Sequence, residues 1–365
     1  MSVGNESALP DVGQTVDINP YRLGFAVKVL GAGGLATSDT RRWQSGPHLF
    51  RSLELLDAVF DHLDAIDVRV YRLSSSTIPY GTHPGLPHLD YRRQLDETGD
   101  AVAALGARAR RLGLRLSTHP GQYTVLNAVD EDVARKATLD LEQDAALFDA
   151  LGLGPEATIV LHVGGVYGDR AAALDRWARR YETLSDSARA RLAVEHDETS
   201  FDAADVLELH RRTGVRVVFD LHHHRCNPGS LETAEALAAA YATWGAVRPK
   251  AHLSSPRTEL RIVGRGKAAR LVPPLLDQHA DFATPWDLGE LLRLAPGPLD
   301  VVVEAKAKDL AVLWLRDQLA RVDPELSAAE ERRAARVPRR RARAATSPAR
   351  TRAGSSPVRA TRRPR

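Results

Sequence analysis

Cysteine is almost missing from this chain: 365 residues hold one, Cys226. That scarcity excludes a disulfide framework and a thiolate zinc site, and it points to a reducing compartment. No apolar run approaches the roughly 18–20 residues that a membrane-spanning helix needs. The first twenty residues lack the basic start and apolar stretch of a secretory signal, and they read as a flexible arm. No GxGxxG opens the first helical segment, so a dinucleotide-binding open sheet has no support. Acids are absent from residues 332–365, where 13 arginines stand. Removing those 13 from the formal charge of +3 leaves −10 for the rest, an acidic body with a basic end. Bulk charge therefore carries no argument about partners. The expectation is a soluble, cytoplasmic chain that crosses no membrane.

What is present starts from residues 216–224, RVVFDLHHH. Three apolar residues run into an aspartate, and a leucine and three histidines follow, as when a buried parallel strand opens into a polar site. The same event recurs. Strands are expected at 22–30, 68–74, 114–117, 158–163, 191–196, 216–220, 250–254 and 300–306. Helical spacing fills 48–63, 91–112, 130–151, 171–190, 202–212, 231–244, 285–294 and 310–320. Gly113 stands where a left-handed glycine would stop the second helix. Eight strands alternating with helices over about 300 residues predict one (β/α)8 barrel, residues 21–322. Residues 323–365, rich in Ala, Arg and Pro and poor in large apolar residues, predict a disordered basic tail.

At or just beyond the strand ends stand His83, His119, His162, Glu195, Asp220 with His223, His252 and Glu304. A parallel barrel gathers all C-terminal strand ends on one face, so these residues are expected to converge. They are too many for one ion, since zinc and manganese take about four to six donors. Two or three ions fit, with Glu195 as a bridge. Imidazole and carboxylate without thiolate suit Zn²⁺, Mn²⁺ or Fe²⁺. Such centres serve phosphoester hydrolysis, and they also serve sugar isomerisation. Composition and spacing leave both open.

The runs HPGQY at 119–123, LHVGGVYGDR at 161–170, FDLHHHRCN at 219–227 and KAHLSSP at 250–256 resemble the UV damage endonuclease family. RLGF at 22–25, YRLSSSTIPYGTHP at 71–84 and VEAKAKD at 303–309 extend the likeness across about residues 21–320. The resemblance implies a TIM barrel related to endonuclease IV. It implies an enzyme of damaged double-stranded DNA that cuts immediately 5′ of cyclobutane dimers and 6-4 products, and at abasic sites, leaving 3′-hydroxyl and 5′-phosphate. It implies Mn²⁺, with Zn²⁺ as the alternative. One ion would be held by His119, His162 and Glu195, and a second by Glu195, Asp220, His252 and Glu304. His223 and His279 would serve a third. His83 and Lys250 would stand at the catalytic centre beside Glu195. Alternation along an extended strand would put His222 and His224 on the face of Asp220; the resemblance selects His223 instead. Gln122 and Tyr123 would probe the duplex at the lesion.

Two positions depart from the family. Phe25 and Val29 replace a tyrosine and an asparagine that touch DNA, so Phe25 is expected to offer the lesion an apolar floor. The segment between His252 and His279 is longer than the family's, and its RIVGRGKAAR run reads as a basic DNA-contacting loop or a solvated insertion. The competing functions are a TIM-barrel sugar isomerase or epimerase, and a damaged-DNA binder without activity. A monomer at the nucleoid, in a bacterium, completes the expectation.

Overall fold

The short apolar runs form strands, and the computed structural model, which describes residues 18–332, closes eight of them into a parallel barrel. They are β1 (Tyr21–Ala26), β2 (Val70–Arg72), β3 (Arg115–Thr118), β4 (Thr158–His162), β5 (Leu192–Glu195), β6 (Arg216–Asp220), β7 (Lys250–Leu253) and β12 (Leu299–Val303). β12 closes the ring against β1, with Phe25 in register with Val303. Four short strands lie outside the barrel between β7 and β12: β8 (Pro256–Arg257), β9 (Arg261–Val263), β10 (Arg270–Val272) and β11 (Leu275–His279). The fold is the (β/α)8 barrel that the alternation predicts.

The outer layer is built from α1 (Leu49–Ala65), α2 (Tyr91–Glu97), α3 (Gly99–Leu112), α4 (Glu131–Ala150), α5 (Arg170–Glu182), α6 (Asp186–Arg191) and α7 (Ala203–Thr213), then α9 (Thr233–Ala242), α10 (Pro285–Leu294) and α11 (Asp309–Val322). Two helices expected as continuous are each divided. Thr98 separates α2 from α3, its hydroxyl donating to the Gln94 carbonyl at 2.7 Å in competition with the helical ladder. Ser185 starts α6 as its N-cap. Gly113 ends α3 at φ +65°, a conformation that costs glycine little.

Strand periodicity sorts the side chains. Tyr21, Leu23 and Phe25 join the main core between strands and helices. Arg22, between them in β1, reaches Asp300 of β12 through bonds of 2.7 and 2.6 Å, and Arg115 of β3 adds one of 2.7 Å. These strand-start residues plug the barrel's N-terminal end. Above them Val160, Ala193 and Val218 form a separate apolar cluster with Trp244. Each precedes by two the last residue of its strand: His162, Glu195 and Asp220. A layer of small aliphatics thus forms the floor beneath the polar mouth.

Residues 323–332 do not behave as a tail. α12 (Pro324–Ala328) buries Leu326 completely, the Tyr21 hydroxyl donates to its carbonyl at 3.0 Å, and Arg316 pairs with buried Glu330. The chain therefore stays on the barrel about ten residues beyond the expected boundary. The rest of the expected tail, 333–365, and residues 1–17 of the expected arm lie outside the described residues.

Candidate active site

The centre is Glu195, fully buried at the end of β5. Its Oε2 lies 3.1 Å from His119 Nε2 and 3.8 Å from His162 Nε2, while Oε1 lies 2.8 Å from His252 Nδ1 and 3.3 Å from His223 Nδ1. His252 Nδ1 is also 3.2 Å from Glu304 Oε1. Potential ligand atoms fall into three close groups: His119–His162–Glu195, Glu195–Asp220–His223 and Asp220–His252–Glu304. Glu195 and Asp220 each belong to two groups, as bridging carboxylates would.

Asp220 shows why the three histidines after β6 are not equivalent. The strand stops at Asp220 and a short helix, α8 (Leu221–Cys226), begins at once. The Asp220 carboxylate caps it, accepting from the backbone N–H of His222 at 2.7 Å and of His223 at 2.9 Å. A helical turn, not a pleat, therefore relates Asp220 to His223, and the two share a candidate group. His224 packs instead against Phe219, ring centroids 5.3 Å apart. The segment after β6 is a buried turn, and Cys226 lies exposed at its end.

The electrostatics are those of a site gathered around positive charge. Burial pushes the Glu195 carboxyl up, but His252, His162 and hydrogen bonds from His119 and His223 outweigh it and hold it well below the usual carboxylate range. Burial also opposes ionisation of Glu304, and Arg72 with His252 reverses that, holding its carboxyl low. His223 is pulled down by burial yet raised to about 11 by Asp220 and Glu195. Burial lowers His162, and it lowers His196 to about 3, so His196 is a neutral acceptor for the Asp220 backbone N–H at 3.1 Å. The second carboxylate oxygen of Asp220, Oδ2, is buried without a hydrogen-bond donor among the described residues. Leaving such an oxygen bare is costly, and a divalent cation is the partner this donor set suits.

His279 sits beside the groups and outside them. Its Nδ1 lies 2.9 Å from the Glu304 carbonyl and 3.8 Å from Glu304 Oε2, and its ring is 5.8 Å from that of His223. His83 is exposed on the β2–α2 loop, accepting the Gly85 N–H at 3.1 Å and meeting the Tyr80 ring at 6.2 Å. Lys250, two residues before His252 on β7, is buried with its Nζ unbonded among the described residues. Burial, reinforced by Arg115 and Arg72, holds its amine well below the ordinary lysine range. Gln122 borders a cleft of 370 Å³ with His119, His162 and Arg72. Tyr123 next to it is 84% exposed.

Phe25 requires a correction. Its ring faces the helix layer, fully buried and edge-on to Tyr71 at 5.3 Å, and so offers no floor to a lesion. Alternation turns Ala26 to the mouth instead, where it lines an opening with Arg72, His279 and Glu304. Val29 is buried too.

Arg72 was not singled out from sequence. Its Nη2 lies 2.8 Å from His252 Nε2 and bonds the Glu304 carboxylate. The available signal was an arginine inside the apolar VYR run of β2, at the pleat that alternates with core Tyr71. Glu198 was missed as well; its carboxylate lies 3.8 Å from His223 Nε2.

These elements define a class: a parallel barrel whose C-terminal mouth holds imidazoles and carboxylates in groups sized for divalent ions. Residues 52–330 match the family model described as UV-endonuclease UvdE. The chain is 32% identical over 267 residues to the UV DNA damage endonuclease of Bacillus pumilus, covering 70% of this chain and 76% of that protein. It is 30% identical over 263 residues to that of Bacillus velezensis, with 70% and 76% covered. A crystal structure described as SacUVDE has the same fold, with a TM-score of 0.70 at 24% identity over 82% of this chain and 98% of that one. The chain belongs to the UV-endonuclease UvdE family, and it is a nuclease with DNA as its substrate class.

Proposed function

We propose that this chain nicks damaged duplex DNA immediately 5′ of UV photoproducts, cyclobutane dimers and 6-4 products, and at abasic sites, leaving a 3′-hydroxyl and a 5′-phosphate. The observation that carries the reading is the sharing of Glu195 and Asp220 among three adjacent ligand groups. His119, His162 and Glu195 would hold one divalent ion, and Glu195, Asp220, His252 and Glu304 a second. His223, with His279 beside it, serves a third. Mn²⁺ is the proposed metal, with Zn²⁺ as the alternative. When bound, the ions supply Lewis-acid charge to the attacked phosphate and its leaving oxygen.

The chain's own groups do the rest. Arg72 holds Glu304 by donating to its carboxylate, and its Nη2 lies 2.8 Å from His252 Nε2. Lys250, one pleat below His252, stands at the catalytic centre, its Nζ unbonded among the described residues. His83, exposed at the rim, reaches the scissile phosphate. Gln122 and Tyr123 enter the stack, the ring filling space and the amide satisfying orphaned bases. Damaged steps unstack at lower cost, so deformability selects the site. The chain works as a monomer, in the cytoplasm at the nucleoid. A sugar epimerase would have no use for so exposed a tyrosine at its rim.

The test is nicking of a labelled duplex carrying one thymine dimer, with Mn²⁺ and with chelator, beside an abasic duplex. A single Mn²⁺-dependent cut 5′ of the dimer is expected. Cutting at the abasic site alone would shift the substrate class, and cutting in chelator would end the metal reading.

A further inference from the structure

The segment between His252 and His279 is neither a loop nor simply solvated. It is a two-tier β-finger. In the base tier, β8 pairs antiparallel with β11; in the tip tier, β9 pairs antiparallel with β10. Buried Arg257 staples the two tiers, donating to the Glu259 carbonyl at 3.0 Å and the Pro273 carbonyl at 3.1 Å. The tip turn is a defined one: Gly264 has φ +92°, and a Cβ there would strike the Ala268 carbonyl at 2.4 Å.

The finger is anchored at the candidate active site. β11 ends at His279, which bonds the Glu304 carbonyl, and Ala280 N–H donates to the Ser255 carbonyl at 2.8 Å. Asp277 and His279 line one opening with Arg72 and Glu304. The base of the finger is thus a wall of the mouth, and its tip stands beyond that wall.

The tip has a composition that water does not favour. Ile262 and Leu271 face each other across the ribbon, 74% and 63% exposed, although an isolated hairpin is marginal in water and has no need of apolar outward faces. Around this pair stand Arg265, Lys267 and Arg270, all exposed and without an ion-pair partner among the described residues. Arg261, by contrast, is committed to Glu259 and Asp281. Free cations around an aliphatic wedge complement a phosphate-lined groove, and a two-stranded ribbon has the width to enter one.

We propose that the β9–β10 ribbon is a second DNA-binding element, entering a groove of the duplex that flanks the cut. Arg265, Lys267 and Arg270 contact phosphates, and Ile262 with Leu271 packs on sugar and base edges. This rests on the DNA-nicking reading and adds a surface that the barrel mouth does not provide. Its effect is on affinity and not on the chemical step.

The experiment measures binding of the full chain to a dimer-bearing duplex and to the same duplex undamaged, from about 50 to about 200 mM salt. Nicking rates are measured alongside. The variant R265Q/K267Q/R270Q is expected to reduce the slope of log affinity against log salt by about 2–3 and to weaken binding roughly ten- to a hundredfold. The variant I262S/L271S is expected to weaken binding about tenfold with the slope unchanged. Both keep the wild-type thermal midpoint and the wild-type rate at saturating DNA. A wild-type chain that nicks the dimer while the charge variant keeps its affinity and slope overturns the finger and leaves the nuclease intact. A wild-type chain that binds without nicking, with binding lost in the variants, supports the finger and removes the proposed nicking at UV lesions. Failure of the wild type to bind any duplex overturns both.

Discussion

Asp220 caps the helical turn that carries His223, its Oδ1 accepting that residue's backbone N–H at 2.9 Å while Oδ2 stays free of donors among the described residues. One side chain is therefore both a structural cap and a candidate ligand. Asp220→Asn keeps a capping oxygen and removes the charge; Asp220→Ala removes both. The Asn variant should melt close to wild type, and the Ala variant should lose about 1 kcal/mol more from the lost cap. Both should nick at least about a hundredfold more slowly. Equal melting of the two would contradict the capping role.

The turn also makes the histidines separable. His223→Ala should reduce bound metal, measured by atomic absorption after gel filtration, and nicking with it. His224→Ala removes a ring packed on Phe219. That variant should lose stability and keep its metal. The reverse pattern would mean that the chain continues as a strand past Asp220.

Tyr123 contributes little to the fold, being 84% exposed. Tyr123→Ala should leave the thermal midpoint unchanged and lower nicking of a dimer-bearing duplex roughly tenfold or more, since stacking of one base on an aromatic is worth about 1–3 kcal/mol. An unaffected rate at subsaturating DNA would remove Tyr123 from lesion probing.

Asp144, on α4 and beside Thr118, the residue before His119, gives a pH signature. Burial, with Asp140 adding to it, raises its carboxyl from 3.8 to about 7. The folded state therefore holds a proton that the unfolded state releases, and the resulting stability is full below pH 3.8 and lost as pH rises towards 7. Asp144→Asn should be less sensitive to pH across that window and more stable than wild type above it, by a few kcal/mol. Denaturant melts at pH 5 and pH 8 decide this, and parallel pH dependences for the two proteins would sink it.

Much of the site was legible because a parallel barrel converts position along a strand into position in space. His119, His162, Glu195, Asp220, His252 and Glu304 all stand at or just beyond C-terminal strand ends, and all enter the three groups. By alternation, Lys250, two residues before His252 on β7, shares its strand face. The same alternation was wrong for the residues after β6, where a helix replaces the strand at Leu221. It was also not carried far enough for Phe25, whose strand presents Arg22 and Ala26 on the inward pleats.

The sequence by itself determined the barrel, the residue types at its mouth and the family, because local periodicity and strand-end chemistry are properties of neighbouring residues. Tertiary structure alone decided that Arg72 joins His252 to Glu304, that Phe25 turns to the helices, and that the long segment after β7 is a finger with a charged, apolar tip. Each of those depends on groups brought together across the barrel or on which face of a strand meets the core. Contacts between residues tens or hundreds of positions apart leave no periodic trace in the chain; only closure of the barrel creates them.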